Sequence, residues 1–352
     1  MKRHSIPFCL ITATFIVACS GCGRTAGPPA PVVIDAARLQ LFQPLPDVMA
    51  SAGNDLTEEK IALGRMLYYE PRLSKSQQIS CNTCHLLDKY GVDGQPVSDG
   101  HKGQTGDRNS PSVYNAAGHF VQFWDGRAAD VEAQAKGPVT NPVEMAMPSE
   151  KEVVAVLKSM PEYIDSFRKA FPEDKDPISY DNMARAIGAF ERRLVTPSRW
   201  DRFLRGEQAA LTDDEKKGFN TFMDAGCQTC HAGALLGGNM YQKLGLVKPW
   251  PNSSDLGRER VTKSESDRLV FKVPSLRNVE KTKPYYHDGK VETLEQAVAR
   301  MSEYQLGNAL SEAQVGSIIT WLKSLTGEIP TDYIKPPELP KSTSKTPKPE
   351  VD

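Results

Sequence analysis

Cys81-Asn82-Thr83-Cys84-His85 and its copy Cys227-Gln228-Thr229-Cys230-His231 decide the reading of this 352-residue chain. Two thiols one helical turn apart can add across the two vinyl groups of a haem, and the histidine that follows is then carried under the iron. A redox Cys-x-x-Cys needs no trailing histidine, and zinc wants four ligands within reach. Two copies therefore imply two covalently bound c-type haems, one on Cys81, Cys84 and His85, the other on Cys227, Cys230 and His231.

Toward the N-terminus, Lys2 and Arg3 precede an apolar run from Ile6 to Ala18 that is too short to span a bilayer and has the form of a secretory signal. Ile16-Val17-Ala18-Cys19 resembles a bacterial lipobox. The reading is a lipoprotein-type signal over 1–18, lipidation at Cys19 and a periplasmic protein anchored to a membrane by that lipid. Simple cleavage to a soluble periplasmic protein is the alternative. Of seven cysteines, Cys9 leaves with the signal, Cys19 and Cys22 belong to the anchor region and four hold haem, so none remains for a disulfide or zinc site. The formal charge of −1 offers no basic field to nucleic acid. Residues 19–50 read as a tether and N-terminal extension, and 336–352, dominated by Pro, Lys, Ser and Thr, as a disordered tail.

The length between suits two domains, and the repeat places them at 51–200 and 201–335, joined near Thr196-Pro197-Ser198. Leu56-Thr57-Glu58-Glu59 before the first motif is echoed by Leu211-Thr212-Asp213-Asp214 before the second, each a threonine N-cap with acids in the first turn. Glu215 completes a capping box. Helical spacing links Met183, Ile187, Phe190 and Leu194. A second stripe, Val315, Ile318, Ile319, Leu322 and Leu325, follows a Ser311-x-x-Gln314 cap. A further helix starts after Ser149, with Glu152 at the capping-box position and Val153, Val156, Leu157 and Met160 inward. Strand-like alternation is scarce. The fold class is mainly α: two cytochrome c-like haem domains with long loops.

Function turns on the sixth ligand of each iron, because a filled position favours electron transfer and an open one favours chemistry on a bound oxidant. His101, sixteen residues after His85 in a glycine-rich loop, is a candidate for the first iron. Met240 and Met301 both follow His231 at workable separations, and spacing alone leaves the choice open. His119 reads as surface or packing, and His287 as lying near a haem or the domain interface.

Six stretches together resemble the bacterial dihaem cytochrome c peroxidases over about Leu56 to Leu325. They are Ile79 to His85, Arg108-Asn109-Ser110-Pro111-Ser112, Gln122-Phe123-Trp124-Asp125-Gly126-Arg127, Ala133-Gln134-Ala135-Lys136-Gly137-Pro138, Lys272-Val273-Pro274-Ser275-Leu276-Arg277-Asn278 and Pro284-Tyr285-Tyr286-His287-Asp288-Gly289. The resemblance implies peroxide cleavage at the haem on His85, with His101 as a sixth ligand that must leave first. It implies electron entry at the haem on His231 and Met301, from a small cytochrome c or copper protein. Glu144 and Gln134 would face the peroxide and Trp124 would lie between the haem edges. Asn109, Thr282 and Pro284 match positions around a calcium ion, and homodimers occur in the family. The MauG branch, which oxidises side chains of a partner protein, has a tyrosine in place of the methionine ligand. It is a rival reading if Tyr304, one helical turn beyond Met301, proves to be the ligand. A non-catalytic dihaem electron carrier is the other rival.

Overall fold

The computed structural model describes residues 1, 4, 5, 7, 31–251 and 254–350. Cys19 and nearly all of the signal segment lie outside the described residues. Val32–Asp352 forms one compact unit. Among the described residues its longer helices are α1 (Glu58–Tyr68), α2 (Val131–Thr140), α3 (Glu150–Lys158), α4 (Pro161–Ala170), α5 (Tyr180–Glu191), α6 (Asp213–Asp224), α7 (Leu294–Leu306) and α8 (Glu312–Leu322). The described sheet is a single antiparallel pair, β1 (Tyr241–Lys243) with β2 (Val270–Lys272).

Each half is built on a crossing of its first and last helices, and a glycine sets each crossing. A Cβ on Gly64 of α1 would stand 1.9 Å from the Ala186 carbonyl oxygen of α5, and one on Gly218 of α6 would stand 2.1 Å from that of Ser317 in α8. Thr57 and Thr212 cap α1 and α6, with Glu215 closing the capping box. Met183, Ile187, Phe190 and Leu194 are buried in one core, and Val315, Ile318, Ile319, Leu322 and Leu325 in the other beside Trp200, Phe219 and Trp321. At α3 only half of the expected box forms. The Ser149 hydroxyl accepts from the Glu152 N–H, but the Glu152 carboxylate takes the Ser149 hydroxyl instead of its backbone N–H.

Within this unit, the segments around Ile34 to Phe42 and Tyr333 to Ile334 each pack on the half from which they are distant in sequence. Ile34 and Phe42 join the second core, whereas Ile334 joins the first and Tyr333 stacks on Phe190. The segment 336–350 corrects the expectation of a disordered tail. It lacks helix and strand, as its composition implies, yet it is held by Arg72 Nη1 to Ser342 Oγ (3.0 Å), Thr343 Oγ1 to Ser159 O (2.8 Å), Gln77 Nε2 to Pro347 O (2.7 Å) and the Lys75–Glu350 ion pair (2.8 Å). Side chains and a main-chain oxygen of the first half thus supply partners beyond the few bonds the tail makes within itself.

The halves also share a repeat that sequence reading missed. Pro111-Ser112-x-x-Asn115 recurs as Pro274-Ser275-x-x-Asn278, at an offset of 163 (274 minus 111). The offset persists through the following loops: Asn115 and Asn278 are both left-handed, as are Phe123 and Tyr286, and Gly126 and Gly289. Bridges Gln122 to Ala128 and Tyr285 to Val291 correspond, and so do the N-caps Asp130 and Thr293 of α2 and α7. The interface obeys it too. Lys272 N donates to Trp124 O at 2.8 Å and Asn109 N donates to His287 O at 2.8 Å, each the other's repeat mate.

Candidate active site

Both Cys-x-x-Cys segments form single tight helical turns, which put their two thiols on one side. The histidines that follow are fixed by main-chain oxygens: His85 Nδ1 lies 3.3 Å from Gly91 O, and His231 Nδ1 lies 3.0 Å from Leu236 O. A proton held on Nδ1 leaves the Nε2 lone pair free for a metal. Burial lowers both imidazole pKa values and so favours the neutral, ligating form. Cys81, Cys84, Cys227 and Cys230 form no disulfide with one another. Groups of this kind fit two covalently attached haems: two thiols on one turn, with an oriented neutral histidine beside them.

The second site is a cavity lined by Cys227, Cys230, His231, Phe222, Ile318, Leu322 and Met301. Met301 reaches it from α7. Met240 and Tyr304 do not line it: Met240 accepts Val273 N through its carbonyl, and the Tyr304 ring packs 5.3 Å from Trp250. The internal repeat explains why the first site differs. Eight residues past its N-cap, α7 carries Met301, whereas α2 carries Pro138 at the same place (301 minus 293, and 138 minus 130). A proline offers no ligand, so a sixth ligand for the first iron has to come from another element.

His101 is on such an element, a short loop closed by the Asp99–Thr105 bridge. It is 6 % exposed, its Nδ1 is buried without a hydrogen-bond partner, and its N–H donates to Glu144 O at 2.7 Å. A Cβ on Gly100 would lie 1.9 Å from Val143 O, so the two loops touch through backbone. The Glu144 carboxyl is half-buried. Desolvation raises its pKa, while the Arg127 charge and the Asn141 side chain pull the other way. Its loop lies against Gly100 and His101, close in sequence to Ser98, whose side chain hydrogen-bonds to Cys84 of the first attachment site. Gln134 is half-buried one turn before Pro138 on α2, and Pro138 O accepts Met145 N, so Gln134 shares a helix face with the anchor of the Glu144 loop.

Trp124 stands where the two halves meet. Its Nε1 donates to Asn109 O at 2.9 Å, and His287, its repeat mate, lies 6.4 Å away ring to ring. Asn109, Thr282 and Pro284 line the same cavity as Trp124. Among the described residues no three His, Cys, Asp or Glu side chains converge on a point, so an ion there would rest on carbonyl and amide oxygens. Arg108 bridges the halves, with Nη1 on Asp125 and Nε on Asp255, each at 2.6 Å. His287 is at the interface as expected, 2 % exposed.

The profile of the family described as di-haem cytochrome c peroxidase matches residues 58–209. Cytochrome c551 peroxidase of Pseudomonas aeruginosa is 48 % identical over 316 residues, which cover 88 % of this chain and 90 % of that protein. This chain belongs to the di-haem cytochrome c peroxidase family. A more distant member is the methylamine utilization protein MauG of Methylorubrum extorquens, 35 % identical over 83 % of this chain and 85 % of its own. A solved MauG-like protein associated with microbial copper homeostasis superimposes with a TM-score of 0.74 at 29 % identity, covering 83 % of this chain and 97 % of its own. As in the family, two c-type haems are the cofactors and the fold is mainly α. Sequence reasoning missed one pair in this peroxidase-family core. His119, expected at the surface or in packing, lies with Nδ1 3.0 Å from Lys272 Nζ. The partners are 153 positions apart, and no local motif links them.

Proposed function

We propose that this chain reduces hydrogen peroxide to water with electrons from a small redox protein, a cytochrome c or a copper protein. The observation that carries the reading is the contact between the His101 and Glu144 loops beside the first attachment site. A non-catalytic carrier has no use for a half-buried carboxyl there. Each peroxide consumes two electrons and two protons and yields two waters. When bound, the two haems supply those electrons through their irons. His101 would help to hold the first haem until its loop moves away from Glu144. Glu144 would then take a proton from one peroxide oxygen and return it to the other, which leaves as water when the O–O bond breaks; the oxygen left behind takes the two electrons and two further protons and leaves as the second water. Its raised pKa suits both transfers. Gln134 orients the peroxide, and Trp124 bridges the sites from which electrons come and go. His231 and Met301 hold the electron-entry site.

The position of Met301 in the cavity, with Tyr304 turned to Trp250, supports this reading over MauG-like oxidation of a partner. A calcium ion at Asn109, Thr282 and Pro284 belongs to the same reading, since oxygen-only donors suit it. Chelation then abolishes activation by reduction, and activation that survives removes the ion from the account. The reading places the chain in the periplasm with Cys19 lipidated. Palmitate label that is lost in Cys19→Ala tests the lipid.

The deciding experiment is stopped-flow mixing of half-reduced, haem-loaded protein with hydrogen peroxide and then reduced cytochrome c. Rapid reoxidation followed by donor consumption is expected. An inert fully oxidised form identifies His101 as the gate. No reaction in either state leaves an electron carrier, and reaction without donor turnover indicates MauG-like chemistry.

A further inference from the structure

Among the described residues the buried arginines Arg72, Arg192 and Arg277 each hold a carboxylate, from Glu70, Glu132 and Asp201. Lys272 is as deeply buried, at 5 % exposure, and has none. Its Nζ lies 3.0 Å from Nδ1 of His119. An ammonium only donates, so Nδ1 accepts and the ring proton sits on Nε2. That Nε2 is itself buried without a partner. The pair therefore presents buried donors and lacks an acceptor, an arrangement that is costly unless an anion completes it.

Both residues line the cavity that holds Cys227, Cys230, His231 and Met301. A c-type haem entering that cavity brings two anionic groups, its propionate carboxylates. We infer that Lys272, steered by His119, receives a propionate of the haem attached at His231. The surroundings are built for it. Lys272 is fixed by its N–H to Trp124 O, and a Cβ on Gly238 would stand 2.3 Å from the His119 ring, so a glycine leaves the space that the imidazole occupies. Desolvation alone draws Lys272 down to about 8, and a carboxylate in contact reverses that pull. The 163-position repeat relates Lys272 to Asn109 and His119 to Thr282, two of the three positions proposed for calcium. One half thus carries its own cation where the other would bind one. The inference rests on the second haem site and not on peroxide turnover.

The test is a potentiometric titration of both haems in full-length, haem-loaded Lys272→Met and Lys272→Arg, with resonance Raman of the propionate modes. Removing the positive charge disfavours the reduced state. The higher-potential wave of Lys272→Met is expected to fall by a tenfold change in equilibrium, about 59 mV, with altered propionate bands, while Lys272→Arg stays near wild type. An unmoved wave, or movement of the lower-potential wave instead, overturns the assignment. Should Lys272→Met fail to accumulate, His119→Gln is read by the same two measurements. Shifted propionate bands support the assignment and unchanged bands overturn it. Loss of peroxidase turnover alone changes neither outcome.

Discussion

Glu144 and Glu191 are both carboxyls with raised pKa values, and their surroundings give them different work. Glu144 is half-buried beside the first attachment site with its loop against His101. Glu144→Ala is expected to keep both haems, visible in the absorption spectrum, and to lose about 10²–10⁴-fold in turnover; a rate within a factor of two of wild type removes it from the mechanism. Glu191 is buried at the end of α5, close enough to Cys81 and Tyr68 to perturb both, and desolvation raises it to about 8. A carboxyl raised above its unfolded value stabilises the fold below pH ~4.5 and loses that contribution as pH rises through ~8. Glu191→Gln cannot ionise, so its urea midpoint should exceed that of wild type at pH 8, by on the order of 1–3 kcal/mol, and converge with it near pH 4. An equal gap at both pH values contradicts the linkage. Sequence offered a reason to single out Glu144, through family resemblance, and none for Glu191, whose burial depends on contacts with α1 and the first haem turn.

At the scale of elements, two loop dockings matter more than any helix. The His101 loop reaches the Glu144 loop only because position 100 has no side chain. Gly100→Ala should push the loops apart and weaken the hold on His101. The oxidised protein then shows a larger high-spin fraction at the first haem and reacts with peroxide without prior reduction. An unchanged low-spin spectrum would show that the loops yield without releasing the histidine. The tail is the second case. Deleting 339–352 removes the bonds to Arg72, Lys75, Gln77 and Ser159, and should lower stability by about 1–3 kcal/mol given the worth of exposed and partly buried polar contacts; an unaltered melting temperature says that these contacts are neutral. Helices were legible because apolar periodicity and caps are local signals, as at Thr212 and Ser311. The docking of the tail was not, because its composition describes what it cannot do alone and says nothing of side chains waiting on the first half.

In the whole molecule, the two haem halves meet along a pseudo-twofold interface, and their sequences diverge across it. The residues kept at the 163-position offset include those that shape backbone, such as Asn115 with Asn278 and Gly126 with Gly289; those that changed include Pro138 with Met301 and Trp124 with His287, positions to which the proposed function gives different work. That is why the haem motifs were readable as a duplication while the repeat that follows each of them was not. Arg108 is the ionic centre of the interface, and its charge with neighbouring hydrogen bonds holds Asp255 down to about 2. A carboxyl lowered in the fold contributes stability above pH ~3.8 and loses it as pH falls toward ~2. Arg108→Met leaves Asp125 and Asp255 buried with less counter-charge, a loss of about 3–5 kcal/mol for a buried pair broken on one side. Because the variant has already lost the contribution at neutral pH, its stability should decline less steeply than wild type between pH 4 and 2. Urea unfolding across that range measures both slopes. Parallel slopes would mean that Asp255 is held down by its other partners, the Gly257 N–H and Arg260, and that Arg108 joins the halves without setting their acid stability.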